Sequence, residues 1–380
     1  MKILFVITKA EIGGAQNFVL NLAKSLKNFG HNVEVAAGVG DYLPEELVKY
    51  NIAFHRLNSL KRDYSLFNSL YFVYDLLKLI KKNNYEIVHL NSTNTLIGAL
   101  STVFLFRKPK LVFTLHGLSF LDNNYIYHPL VSFFSRQYFK LFLRLIDKAV
   151  FVSKNNFDSI KDKIFIKRSS LIYNGLDVNN LTFFSKEDAR KYLSEIGGID
   201  LSNSFIIGSA GRLAYPKNYE FLINNFKLFQ NKIPNLKVVI IGDGPYREKY
   251  IKLISENKIE NDFILLGELK DSFKFLKAFD VFTLTSDFEG LSISLLEALF
   301  ADIPILASNV GGNPEIVEND ESQLFTLNDQ NEFLNKLIEL RKNKDAAISH
   351  NNGLKGKFSL AKMTEDYLKI YQELIIAKKS

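Results

Sequence analysis

Two carboxylates frame a strand-to-helix turn in the stretch Ser286–Glu315, SDFEGLSISLLEALFADIPILASNVGGNPE. Glu289 lies in the turn, and Glu297 lies two turns into a helix marked by the spacing of Ile293, Leu296, Leu299 and Phe300. The apolar run Val281–Thr285 leads into it. In an open α/β sheet, ligands bind beyond the C-terminal ends of the strands, where a helix start offers unpaired N–H groups and a positive dipole to an anion. The eight residue steps from Glu289 to Glu297 correspond to roughly 12 Å along a helix. That is wider than the about 5 to 9.5 Å between the paired carboxylates of a glycoside hydrolase. The two acids therefore suit separate hydrogen-bond acceptors on either side of a bound anion, each taking hydroxyls of one extended ligand with a phosphate in its middle. A sugar nucleotide has that layout.

A second turn supplies cations. Gly211-Arg212-Leu213-Ala214-Tyr215-Pro216-Lys217-Asn218 follows the apolar run Phe205–Ser209. Arg212 brings a planar guanidinium fork and Lys217 a compact ammonium, a combination suited to a diphosphate. Solvated surface charges are the alternative, and a position on the same rim as Glu289 favours the ligand. Gly242 and Gly244, in Gly242-Asp243-Gly244-Pro245 at the next strand end, could let a flat base lie against backbone or could serve only the turn. Gly13-Gly14 precedes a helix marked by Ala15, Phe18, Val19, Leu22, Ala23 and Leu26, but the G-x-G-x-x-G dinucleotide fingerprint is missing, which weakens an NAD reading.

Histidines divide by position. His116, opening His116-Gly117-Leu118-Ser119 just past an apolar run, sits where ligands bind or where a loop is capped. His89 precedes the polar turn Asn91-Ser92-Thr93-Asn94 and is a second place for acceptor contacts. His31 follows a helix end at Gly30, and His55, His128 and His350 lie in segments without such punctuation, so all four read as structural or surface residues.

The elements that must position these side chains alternate along the chain. Strands are expected at Lys2–Ile7, Asn32–Ala37, Ile87–Leu90, Lys110–Leu115 and Ala149–Val152, with helices between them. A second series runs through Phe205–Ser209, Lys237–Ile241, Phe263–Leu266, Val281–Thr285 and Pro304–Ala307. The fold class is α/β, with two doubly wound Rossmann-like domains facing across a cleft. Residues 1–178 form an N-terminal domain, 179–203 an interdomain connection and 204–360 a C-terminal domain. Residues 361–380, with Tyr367, Ile370, Tyr371 and Leu374 on one face, form a closing helix that packs back across the domains.

Composition sets the outer limits. The 380 residues are 47% hydrophobic and 23% charged, enough for two full cores. With no cysteine, disulfides, Cys-based zinc sites and Cys nucleophiles are excluded. The apolar start stops at Lys9 and runs into a glycine turn and a helix, so it reads as a buried strand rather than a signal peptide. No uninterrupted apolar run reaches the length of a membrane span.

Residues 1–180 hold 23 Lys and Arg against 13 Asp and Glu, so the basic excess lies in the first half. No basic run with interleaved aromatics or nucleic-acid motif accompanies it, so nucleic acid is not expected as a partner. In Tyr125–Lys148, YIYHPLVSFFSRQYFKLFLRLIDK, the cations Arg136, Lys140 and Arg144 recur every four residues among Phe, Leu and Tyr. A membrane-surface helix and a core helix with a solvated basic edge both remain open readings.

Taken together, these motifs carry a resemblance. Gly13-Gly14, His116-Gly117, Asn174-Gly175-Leu176-Asp177, Gly211-Arg212-Leu213 with Lys217-Asn218, Ile241-Gly242-Asp243-Gly244-Pro245, and Glu289-Gly290 with Glu297-Ala298 resemble the retaining GT-B-fold glycosyltransferases of family four, over nearly the whole chain. The resemblance implies a UDP- or GDP-linked sugar donor on the C-terminal domain, an acceptor on the N-terminal domain, and transfer with retention of configuration. Arg212 and Lys217 would then hold the diphosphate and stabilise the departing charge. Glu297 would accept from ribose hydroxyls and Glu289 from those of the donor sugar. Backbone N–H groups of Gly290, Leu291, Ser292 and Gly14 would approach the phosphates, and His116 would face the transferred sugar.

No cofactor or metal is expected: Asp-x-Asp does not occur, and Arg212 with Lys217 can supply the charge a metal would bring. The expected acceptor is a lipid-linked glycan in surface polysaccharide or glycolipid assembly, with the protein peripheral at the inner, cytoplasmic face of the membrane. The alternatives are an enzyme of the same fold acting on a soluble acceptor, a nucleotide-sugar epimerase, and a non-catalytic sugar-nucleotide-binding protein.

Overall fold

The computed structural model describes residues 1–61, 65–103, 105–117, 129–160 and 168–379. Leu118, Ser119 and the stretch 125–128, which includes His128, lie outside the described residues. The chain divides into two compact units, Met1–Gly175 with Phe358–Ser380, and Leu176–Lys357.

The first unit is built on a seven-stranded sheet: β1 Lys2–Ile7, β2 Asn32–Ala37, β3 Ala53–Arg56, β4 Ile87–Asn91, β5 Lys110–Leu115, β6 Lys148–Phe151 and β7 Ser169–Leu171. The order is β3-β2-β1-β4-β5-β6-β7, with every ladder parallel. Both faces are covered, and the alternation of β1 shows how. Ile3, Phe5 and Ile7 enter one core with Phe18, Leu22 and Leu26 of the helix Gly14–Asn28. Leu4 and Val6 enter the other with Phe72, Leu76 and Ile80 of the helix Leu66–Asn83, and with Phe139 and Phe142. The expected strands form; β3 and β7, short edge strands reading AFHR and SSL, carry too little apolar pattern to stand out in sequence.

The C-terminal helix Leu360–Lys379 belongs to this first unit, where Met363, Tyr367, Ile370, Tyr371 and Leu374 join the core containing Ile3 and Phe5. Two polar bonds fix its seat: the Tyr371 hydroxyl lies 2.7 Å from His89 Nδ1, and the Tyr367 hydroxyl 2.9 Å from Thr114 Oγ1.

The second unit carries β8 Phe205–Ala210, β9 Leu236–Ile241, β10 Phe263–Leu265, β11 Val281–Leu284, β12 Ile305–Ser308 and β13 Leu324–Phe325. They form a parallel sheet in the order β10-β9-β8-β11-β12-β13. The helix Lys186–Gly197, within the expected connection, is fastened to this unit. Arg190 donates to Ala278 O at 3.0 Å and Ser202 O at 2.9 Å, and pairs with Asp280 at 2.7 Å. Two doubly wound α/β units are therefore present, as the alternation of apolar runs requires.

Candidate functional site

The strand order of the second unit reverses between β8 and β11, and the two turns singled out in sequence leave those two strands at their C-terminal ends. They are tied to each other. Lys217 Nζ donates to Glu289 Oε1 at 2.7 Å, and Ser286 Oγ donates to the same oxygen at 2.7 Å. Thr285 Oγ1 reaches Lys217 O at 3.1 Å and Asn218 O at 3.0 Å, and Asn218 Nδ2 donates to Asp287 Oδ1 at 2.8 Å. Burial raises the Asp287 carboxyl above its ordinary range, against the bond from Asn218. In sequence Lys217 and Glu289 read as separate ligand contacts; the fold makes them partners. The Asn218–Asp287 clamp has no signature in the sequence.

Two other groups are left with nothing to hold. Arg212 is exposed, and its guanidinium makes no hydrogen bond or ion pair among the described residues. Glu297, partly buried on the helix Ile293–Phe300, likewise has no side-chain partner there, and burial pushes its carboxyl up to about 7. An unpaired, desolvated carboxylate costs stability and is open to hydroxyl donors from a ligand. Ser292 caps its helix by accepting from Leu295 N at 3.4 Å, while the backbone N–H groups of Gly290 and Ser292 have no partner among the described residues.

Glycine identity follows from close backbone approach. A Cβ on Gly242, whose φ is +147°, would stand 2.0 Å from Gly211 O, and one on Gly244 would stand 2.5 Å from Leu213 O. These glycines thus hold the Arg212 turn against the Gly242–Pro245 turn. Gly311 and Gly312 do the same under the Glu289 turn, with Cβ positions 1.9 Å from Glu289 O and 2.1 Å from Gly290 O. That second pair was not singled out in sequence, although a Gly-Gly beyond a strand end was the available signal.

In the first unit, Gly14 begins the helix Gly14–Asn28, whose first turn has no acidic residue. His116 directly follows β5, where its Nε2 lies 3.0 Å from Asn91 Oδ1 and Phe18 meets its ring edge-on at 4.5 Å between centroids. Burial holds its pKa down to about 3. The expectation of acceptor contacts at His89 is corrected. His89 is the third residue of β4, fully buried, with Nδ1 bonded to Tyr371 and Nε2 bonded to Thr114 Oγ1 at 2.7 Å. Neither nitrogen is left for a ligand, and Asn91, two residues on, takes the rim position.

The helix Pro129–Leu143 buries Phe139, Phe142 and Leu143 and exposes Phe133, Phe134, Lys140 and Leu141, with Arg144 exposed just beyond. On Leu66–Asn83, Leu66, Phe67, Leu70, Tyr71 and Tyr74 are each more than half exposed and share a face with the exposed Lys78, Lys81 and Lys82. Among the described residues no helix is long and apolar enough to cross a membrane.

Residues 12–180 match the family model described as Glycosyltransferase Family 4, and residues 198–353 the one described as Glycosyl transferases group 1. A UDP-Gal:alpha-D-GlcNAc-diphosphoundecaprenol alpha-1,3-galactosyltransferase of Escherichia coli is 28% identical, over 100% of this chain and 98% of its own length. The O-antigen biosynthesis glycosyltransferase WbnH of Escherichia coli is also 28% identical, over 98% of both chains. Among solved structures, Anabaena Alr3699/HepE in complex with UDP and glucose superposes with a TM-score of 0.80 at 20% identity, over 98% of this chain and 99% of that one.

Proposed function

This chain belongs to the family-four glycosyltransferases of GT-B type, and on that premise we propose that it moves a hexose-type sugar from a UDP- or GDP-linked donor to a hydroxyl of a lipid-linked glycan, with retention of configuration, in surface polysaccharide or glycolipid assembly. The observation that carries the donor assignment is the pairing of Lys217 with Glu289 at the strand-order reversal, flanked by Arg212 and Glu297, whose side chains have no partner among the described residues.

Arg212, Lys217 and the free N–H groups before the helix Ile293–Phe300 bind the diphosphate. They gain most as the bond from the anomeric carbon to phosphate oxygen breaks and charge collects on the leaving group. Glu297 accepts from the ribose hydroxyls, and Glu289, held by Lys217 and Ser286, accepts from the donor sugar. The acceptor hydroxyl forms the new bond on the face from which the diphosphate leaves, and its proton passes to the departing phosphate. Arg212 and Lys217 supply the positive charge, so the step proceeds without a metal.

The acceptor is read from the relatives' named substrates and from the exposed basic, aromatic helices Leu66–Asn83 and Pro129–Leu143. These helices would hold the first unit at the cytoplasmic face of an anionic membrane. The test is transfer of labelled sugar from UDP- and GDP-sugars to polyprenyl-diphosphate-linked glycans, with the anomer of the new linkage read by NMR. Inverted product refutes retention, and transfer only to soluble sugars refutes the lipid-linked acceptor.

A further inference from the structure

We propose that Asn91 fixes His116 as a neutral imidazole protonated on Nε2, so that Nδ1 presents a lone pair to a substrate hydroxyl. His116 is then a hydrogen-bond acceptor, and Asn91 is its positioning residue. This deepens the transferase reading and rests on it.

The assignment follows from which atoms can donate. Asn91 closes β4 and is fully buried, and its Nδ2 lies 3.1 Å from the carbonyl oxygen of His89. A carbonyl oxygen only accepts, so the amide nitrogen must face it and Oδ1 must face His116. Oδ1 also only accepts, and at 3.0 Å from Nε2 it requires a proton on that nitrogen. In a neutral ring the other nitrogen then carries the lone pair. Nδ1 has no partner among the described residues.

The surroundings keep the ring neutral. Phe18 covers it edge-on, and His89, the titratable neighbour, is itself held well below its ordinary pKa by burial. Tyr367 packs against both Phe18 and His89. No carboxylate, Lys or Arg among the described residues is bonded to His116. With a pKa held down to about 3, the ring is a weak base and stays uncharged at neutral pH, with its one proton held on Nε2. The lone pair selects a hydroxyl over an anionic group, so the ligand at this point on the rim is a sugar hydroxyl rather than a phosphate or carboxylate.

Long-range proton–nitrogen NMR on the full chain with labelled histidine tests this directly, with His116→Gln assigning the signals. The expected spectrum has a pyridine-type Nδ1 and a pyrrole-type Nε2 that hold steady from about pH 5 to about pH 8. Asn91→Asp sets a carboxylate against Nε2 and favours the imidazolium, turning Nδ1 into a donor as pH falls. In that variant His116 should titrate inside this window and kcat/KM should fall roughly tenfold on the acid side, while the melting shift given by UDP or GDP stays. A pyrrole-type Nδ1 or a doubly protonated ring in the wild type overturns the proposal, as does an Asn91→Asp variant whose His116 titrates as in the wild type. The wild-type spectrum needs no donor to bind, so failure of the transferase reading would appear separately, as absent transfer with the tautomer intact.

Discussion

Lys217 Nζ stands 2.7 Å from Glu289 Oε1, joining the turn after β8 to the turn after β11 with both side chains mostly shielded from water. Removing one partner strands the other's charge in a partly desolvated place. Lys217→Ala and Glu289→Ala should each cost about 1 to 3 kcal/mol of unfolding free energy. Together they should cost less than the sum, with a coupling of about 1 kcal/mol or more. Urea unfolding of the four proteins measures this; strict additivity would mean the pair contributes nothing.

Arg212 presents the opposite case, since it is exposed and its guanidinium has no partner among the described residues. Arg212→Ala should leave stability within about 0.5 kcal/mol of wild type while lowering kcat by about 10² to 10³. Transfer should persist in EDTA. Loss in EDTA with recovery in Mg²⁺ or Mn²⁺ would contradict the charge assignment to Arg212 and Lys217.

Glu297 makes stability depend on pH with a defined sign. Its folded carboxyl is raised from 4.5 to about 7, so between those values the folded state binds more protons than the unfolded one and stability falls as pH rises. Glu297→Gln removes this penalty. The variant should melt above wild type at about pH 8 and close to it at about pH 5, and should bind nucleoside diphosphate more weakly at both. Melting curves with and without nucleotide give all four values; equal pH slopes would refute the shifted carboxyl.

The exposed aromatic and basic faces predict binding to anionic vesicles that weakens with salt. Phe133→Ser with Phe134→Ser, or Phe67→Ser with Tyr71→Ser, should reduce co-sedimentation several-fold without lowering the melting point, because these side chains are exposed. Equal binding to neutral and anionic vesicles would discount the lysines.

Much of the fold was legible because parallel strands buried on both faces read as apolar runs, and their ends are punctuated by glycine and charge, as at Gly211-Arg212 and Glu289-Gly290. Pairings across long separations were not. Nothing near His89 announces Tyr371, 282 residues away, or shows that both of its nitrogens are spent in the core. Lys217 and Glu289 were each visible as rim charges, but their mutual bond depends on the reversal of strand order between β8 and β11. The exposed face of Leu66–Asn83 was hidden for a different reason. Its apolar residues fit a core helix equally well in sequence, and only the packing of Phe72, Leu76 and Ile80 shows which side is buried.

The donor site is the central claim, and the most direct measurement is a thermal-shift panel of UDP, GDP, ADP and CDP with their sugar conjugates on wild type and on Arg212→Ala with Lys217→Ala. A ligand that binds the native state raises the melting point by mass action, whatever the acceptor. One nucleoside diphosphate should stabilise the wild type, and the double variant should lose that shift. No shift with any of them, or a shift the double variant keeps in full, would contradict the assignment of these turns to the donor.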